Sequence, residues 1–188
     1  MFAQPRVWSK IIIGGLLFLV PVIGWLFVYG YGIRTMRSVI AGDEQLPEWT
    51  DFGGLLVTGL LGFVAGIIYS VPGLVLARFG ATGAVLAILA NILAGFVLPA
   101  ALLRFAKKDD FGAFFDFGEI FAFIRDNFGN YVIVLLLAIV TQIIASFGVI
   151  LLVIGVVFTV FWGLLVVFHL LGSLQRVADT AGVGHPPY

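Results

Sequence analysis

Few side chains in this sequence have the functional groups needed for chemistry, and three of them fall inside long apolar stretches: Asn91, Gln142 and His169. A carboxamide at Asn91 or Gln142 fits a polar path for a solute, and it fits equally a hydrogen bond between two helices. The imidazole of His169 fits a hydrogen bond to a neighbouring helix, or ligation of haem iron or chlorophyll magnesium. His169 is therefore the one candidate cofactor ligand.

The residue combinations that support catalysis are missing. The chain has no cysteine, which excludes disulfides, thiolate metal sites and thiol nucleophiles. No Ser–His–Asp arrangement, no paired catalytic carboxylates and no metal-ligand spacing is found. We therefore predict no catalytic site, no metal site and no enzymatic activity. A proton- or ion-coupled pump is also disfavoured, because no charged residue falls at the predicted mid-depth of a membrane.

The elements that hold these polar side chains are predicted to be membrane-spanning helices. The 188 residues are 62% hydrophobic and 11% charged, whereas soluble domains carry about 25% charged residues. The uncharged runs reach the roughly 20 residues that a spanning helix needs and lack the alternation of barrel strands. The run at 127–175 is 49 residues long, so it must fold back, and glycines place that turn near 147–155.

The predicted fold is all-α: a polytopic transmembrane helical bundle that forms a single domain over residues 1–188. About five spanning helices are expected, at residues 11–33, 54–77, 81–103, 129–147 and 153–175. An irregular tail is expected at 180–188, because it is rich in glycine and proline.

Two connections, residues 34–53 and 111–127, are predicted to be amphipathic segments at the membrane surface. In the second, apolar residues recur on one helical face, which suits the headgroup region or a groove on a partner protein. In the same segment, Asp116 followed by Glu119 three residues later resembles a capping box. In the first, two arginines share a face and can reach Asp43, Glu44, Glu48 or Asp51, or lipid phosphates. Asp51 or Thr50 can also cap the helix that follows. The residues assigned to these interfacial roles are Arg34, Arg37, Trp49, Asp51, Asp116 and Glu119.

A strip of small residues on the second predicted helix indicates close helix packing. Gly59, Gly62 and Gly66 lie along one side of it, and the last two form a G-x-x-x-G motif. Such a motif lets another helix approach closely. That helix can belong to this chain or to a second one.

The orientation follows from the positions of the basic residues. With five crossings, three of them (Arg6, Lys10 and Arg78) share one face and the other seven share the opposite face. Because cytoplasmic loops carry the excess of Lys and Arg, the second face is predicted to be cytoplasmic. This places the N-terminus outside and the C-terminus inside.

Three blocks of sequence resemble a known family of prokaryotic integral membrane proteins, domain-of-unknown-function family 4013. They are Gly30-Tyr31-x-x-Arg34-x-x-Arg37, the segment from Gly42 to Gly53 that reads GDEQLPEWTDFG, and Phe115-Asp116-Phe117-Gly118-Glu119-Ile120. Trp49 stands where the family tolerates Phe or Trp, whereas Gly53 and Gly118 stand where larger residues are common. The resemblance implies a multispanning membrane protein and supplies no activity.

These observations favour a structural or accessory subunit in the plasma membrane of a prokaryote. Its expected partners are the lipid bilayer, with bound lipid, and other membrane subunits or further copies of itself. Nucleic acid is not expected, because there is no basic patch and the net charge is zero. A small-solute transporter or channel is the alternative, and a haem- or chlorophyll-carrying subunit that uses His169 is the third reading.

Overall fold

The computed structural model describes residues 7–43, 45–147 and 153–183, and these ranges are helical apart from their connections. The helices are α1 (Val7–Phe18), α2 (Ile23–Ile40), α3 (Phe52–Leu76), α4 (Gly80–Lys108), α5 (Phe117–Asp126), α6 (Phe128–Phe147) and α7 (Val153–Val183), with a 3₁₀ turn at Phe111–Phe115. No strand occurs within the described ranges. The all-α prediction is confirmed.

Four helices are long and apolar enough to cross a membrane. The candidate spans are Phe52–Leu76, Gly80–Lys108, Phe128–Ala145 and Val160–Thr180. Only 22% to 44% of the residues in their most apolar windows are buried within the chain. Large apolar side chains therefore cover the outer surface, which suits lipid and not water.

The helix predicted at 11–33 is instead two helices, and the described chain has four candidate spans where five were expected. The break falls at residues 19–22, where Pro21 lacks the amide hydrogen that a continuous helix needs. Val22 adopts a φ of 64°, which a helix cannot contain. The 12 described residues of α1 extend about 18 Å, less than the hydrocarbon core of about 30 Å.

The two predicted interfacial segments differ in structure. In the first, predicted at 34–53, α2 continues to Ile40, and the described remainder before α3 is irregular; no separate amphipathic helix forms there. The second contains α5, on which Ile120 and Ile124 are buried against the bundle. Phe117 and Phe121 of the same helix are exposed, so α5 is the amphipathic element that was predicted at this position.

The helices on either side of the turn that was predicted near 147–155 are both described. α6 ends at Phe147 and α7 begins at Val153, and residues 148–152 lie outside the described ranges. α7 continues to Val183, so residues 180–183 are helical and not irregular; no proline lies between residues 153 and 185 to stop the helix. Residues 184–188 of the predicted tail are not among the described ones.

Nearly all basic residues of the described ranges gather at one end of the α3–α4 pair, the end at which α3 begins and α4 finishes. We call this the charged end; its basic residues are Lys10, Arg34, Arg37, Arg104, Lys107, Lys108, Arg125 and Arg176. Arg78 lies in the turn at the opposite end. The prediction that Lys10 shares a face with Arg78 is wrong, because the break at Pro21 sends α1 back along α2.

Cysteine labelling tests this placement in a chain that has no cysteine of its own. We expect Ser9→Cys and Ser38→Cys to react with an impermeant maleimide from the same side of sealed vesicles, and Ala81→Cys from the other side. The unsubstituted chain is the control for background labelling. Labelling of Ser9→Cys together with Ala81→Cys would instead support one continuous crossing at 11–33.

Candidate functional site

The charged end is the candidate site, and its first component is an aromatic stack that fixes α1. The rings of Tyr31 and Trp49 lie 4.0 Å apart and nearly parallel. Trp49 Nε1 donates a hydrogen bond to the Lys10 carbonyl oxygen at 3.0 Å. Tyr31 Oη donates to the Pro47 carbonyl oxygen at 2.7 Å. Trp49 therefore joins α1, α2 and their connection to α3, a more specific role than the membrane-surface aromatic that was predicted.

Lys10 is itself held by the same connection. Only 5% of the residue is exposed. Its Nζ donates to the Leu46 carbonyl oxygen at 2.6 Å and pairs with Glu48 at 2.8 Å. A buried ammonium is tolerated only where it is paired and hydrogen-bonded, as it is here. Sequence patterns gave no sign of this, because the partners lie more than 35 residues away.

Asp51 connects the start of α3 with α2. Its Oδ1 accepts a hydrogen bond from the Gly54 amide at 3.0 Å, which makes it the N-cap of α3 as the sequence indicated. Its Oδ2 pairs with Arg34 at 2.9 Å, and Arg34 also donates to the Thr50 carbonyl oxygen at 2.6 Å. Arg34 thus reaches one of the acidic residues proposed for it.

Arg37 finds a different partner from those proposed. It pairs with Asp109, just after α4, at 2.6 Å, and its guanidinium lies 5.3 Å from the centre of the Phe105 ring. Asp109 is 72 residues further along the chain. Arg37 therefore ties α2 to the end of α4 and does not order its own connection. Glu44, another proposed partner, lies outside the described residues.

The acidic residues at the start of α5 do not form the predicted capping box. Asp116 makes no side-chain cap hydrogen bond. It pairs instead with Lys108 at 2.6 Å, and the hydrogen bond from Lys108 holds the pKa of the Asp116 carboxyl below its ordinary value. Glu119 pairs with Arg104 at 2.9 Å. Both carboxylates form ion pairs with cations at the end of α4, and these pairs hold α5 against α4.

A polar cleft of about 650 Å³ lies beside these pairs, between α4, α5 and α7. Lys107 pairs across it with Asp179 at 2.6 Å. Gln175 of α7 lines the cleft and is only 3% exposed. Gln175 was not among the polar residues that the sequence singled out, because its burial depends on the packing of α7 against α4 and α5.

The glycine strip packs mainly within the chain. A Cβ on Gly59 would overlap the Leu26 carbonyl oxygen, and one on Gly30 would overlap the Leu55 carbonyl oxygen. Gly62 lies against the Tyr29 ring. These glycines bring the α2 and α3 backbones together. Gly66, the second glycine of G-x-x-x-G, faces open space.

The intramembrane polar candidates do not meet in the structure. Asn91 is exposed on α4 with its carboxamide against Gly73 of α3, and Gln142 is exposed on α6 near Gly163 of α7. They do not line one path. His169 is half-buried on α7, and its assignment to haem or chlorophyll stays a prediction. The described residues contain no group of three His, Cys, Asp or Glu side chains that could hold a metal ion.

Comparison with known proteins places the chain in a family. A family model described as "Protein of unknown function (DUF4013)" matches residues 13–154. The uncharacterized protein MJ1189 of Methanocaldococcus jannaschii is 28% identical over 156 residues, which cover 74% of this chain and 54% of that protein. The chain thus spans about half the length of the curated relative that it matches. No solved structure matches it. Because the family model covers well over half of the sequence, this apolar, polytopic chain belongs to the DUF4013 family of unknown function.

Proposed function

We propose that this chain is a structural or accessory subunit, not an enzyme, that packs against a second membrane-spanning chain. The proposed contact is the outer half of the α3–α4 pair, residues 66–95, which we call the α3–α4 arm. The observation that carries the proposal is Asn91, an exposed residue of this arm whose carboxamide has no hydrogen-bond partner among the described residues.

The arm is built from two helices that meet through small residues. Gly73, Gly83 and Ala87 are its buried members, and most of its large apolar side chains are exposed. Exposed apolar side chains alone are ordinary for a lipid-facing surface. The arm also has Gly66 and Gly95, beside which a Cβ would meet nothing within 4 Å. Open glycines of this kind allow another helix to approach closely.

Asn91 distinguishes a protein partner from lipid. It is the twelfth residue of the 29-residue α4, about 17 Å from the start of the helix and therefore deep in the bilayer. Its carboxamide makes no hydrogen bond with the described residues. Acyl chains offer no hydrogen-bonding group, whereas a neighbouring helix can contribute a bond worth about 0.6 to 2 kcal/mol.

We further propose that the charged end faces the cytoplasm of a prokaryotic cell. Eight of the nine basic residues in the described ranges lie at this end, and Arg78 lies at the other. The positive-inside rule favours the basic end as cytoplasmic. This differs from the five-helix prediction, since Lys10 now counts on the cytoplasmic side.

Site-specific photocrosslinking in native membranes tests the subunit proposal. A photoreactive amino acid at Ile92, which is 64% exposed beside Asn91, should give one discrete protein adduct. The same group at Ile133 of α6, 56% exposed, is the matched control and should give only lipid adducts. Asn91→Leu should lower the Ile92 adduct roughly 3- to 30-fold, the loss of one interhelical hydrogen bond.

The mass of the adduct identifies the second chain as a copy of this protein or as a different protein. The proposal would be overturned if Ile92 gave lipid adducts and no protein adduct, and if the chain were a monodisperse monomer in mild detergent.

A further inference from the structure

The polar cleft at the charged end has the size and lining of a ligand site. Its volume of about 650 Å³ lies within the roughly 300 to 1,000 Å³ of small-molecule sites. Its wall has contributions from α4, α5 and α7. The charged side chains on this wall are Arg104, Lys107, Glu119, Asp126 and Asp179.

The ion pairs leave the wall with an excess of negative charge. Arg104 pairs with Glu119 and Lys107 pairs with Asp179. Within the described ranges the third carboxylate, Asp126, pairs only with its neighbour Arg125, and both of these side chains are mostly exposed. Such an exposed pair is weak. Asp126 is therefore available to a cationic ligand.

Gln175 supplies a second, independent indication of a ligand. Its Nε2 donates to Asp179 Oδ1 at 2.7 Å. This hydrogen bond fixes the orientation of the carboxamide, with Nε2 toward Asp179. Its Oε1 is buried and accepts no hydrogen bond from the described residues. A buried acceptor without a donor is costly, so an N–H or O–H donor that reaches this oxygen would be stabilising.

The wall also offers one donor. Arg104 Nε is buried and donates to no described residue, although Nη2 of the same guanidinium pairs with Glu119. A guanidinium N–H recognises phosphate or carboxylate. The cleft thus combines groups for a cation, at Asp126 and Gln175, with a group for an anion, at Arg104.

We infer that the cleft binds a zwitterion that carries a primary ammonium group and an anionic group. Ethanolamine phosphate has this chemistry, and it is available as the headgroup of phosphatidylethanolamine or as a free molecule. The ammonium donates to Gln175 Oε1 and Asp126, and the phosphate accepts from Arg104 Nε. A choline headgroup carries no N–H, so it cannot satisfy Gln175.

Lipid titration of the delipidated full chain, followed by native mass spectrometry in mild detergent, tests this inference. Phosphatidylethanolamine should bind about tenfold more tightly than phosphatidylcholine or phosphatidylglycerol of the same acyl composition. Gln175→Leu and Asp126→Asn should each lower that preference about tenfold. Asp43→Asn, an exposed carboxylate outside the cleft, should leave it unchanged. Because Asp126 is on the surface, its variant keeps the test valid even if Gln175→Leu fails to fold.

A second titration distinguishes the two sources of the ligand. Free ethanolamine phosphate is added to the chain and its binding is followed by calorimetry. The site is assigned to a soluble ligand if this molecule binds with the same sensitivity to Asp126→Asn and the chain shows no preference among the lipids. Equal binding of all three lipids, together with no saturable binding of ethanolamine phosphate, would mean a cleft that holds only water and would overturn the inference. The cleft and Asn91 lie on different parts of α4, so this result is independent of the subunit proposal.

Discussion

Gly59→Ala is expected to destabilise the protein by about 3 kcal/mol or more, at or beyond the upper end for overpacking a close contact. The new Cβ would overlap the Leu26 carbonyl oxygen and lie 3.0 Å from the Gly30 amide nitrogen. Both are backbone atoms, which cannot rotate away as a side chain does. The α2 and α3 backbones must therefore separate, and α2 loses its packing.

Gly66→Ala is the matched control, because it is one methyl group on the same face of the same helix. Nothing lies within 4 Å of its Cβ position, so the change should be neutral or stabilise α3 by up to about 1 kcal/mol through helix propensity. Reversible unfolding in mixed detergent gives both free energies of unfolding. Equal stabilities for the two variants would contradict the close α2–α3 contact.

Trp49→Ala has the second-largest expected effect, a loss of about 2 to 3 kcal/mol from the free energy of unfolding. Truncating a core Trp costs about 3 to 5 kcal/mol, and Trp49 is half-buried. The variant loses the ring stack on Tyr31 and the hydrogen bond to Lys10. We therefore expect α1 to loosen more than the remainder of the bundle.

Hydrogen exchange resolves this difference by segment. Amides of α1 should exchange faster in Trp49→Ala, whereas those of α6 should keep their wild-type rates. Trp49→Phe keeps the stacked ring and should lose only about 1 kcal/mol with the hydrogen bond. Phe79→Ala, at a ring 70% exposed, is the control and should change neither quantity. A uniform increase in exchange across α1 and α6 would argue against a local role for Trp49.

Hydropathy predicted the helical class, and local patterns predicted those features that depend on neighbouring residues. The Asp51 carboxylate caps α3 by accepting a hydrogen bond from the amide of Gly54, three residues later. The recurring apolar residues of α5 define its buried face, which contains Ile120 and Ile124. Both signals join residues that are only three or four positions apart in the sequence. The break before α2 was harder to predict, because Pro21 lies in an uncharged run whose composition alone fits one crossing.

The partners of the charged side chains required the tertiary structure. Arg37 has acidic residues close in sequence, yet it pairs with Asp109, which α4 brings beside it. Lys10 and Gln175 gave no pattern, since burial and hydrogen bonding depend on contacts between distant segments. A capping box was a reasonable expectation for Asp116 and Glu119, but the cations at the end of α4 compete for both carboxylates.

The attachment of α1 has a consequence for how the protein is made. The hydrogen bonds that hold Lys10 join it to residues that follow 36 and 39 positions later. At a synthesis rate of about 5 to 20 residues per second, the ribosome needs roughly 2 to 8 s to make that stretch. During this interval α1 lacks the contacts that hold it, and its 12 described residues are fewer than the roughly 20 that a spanning helix needs.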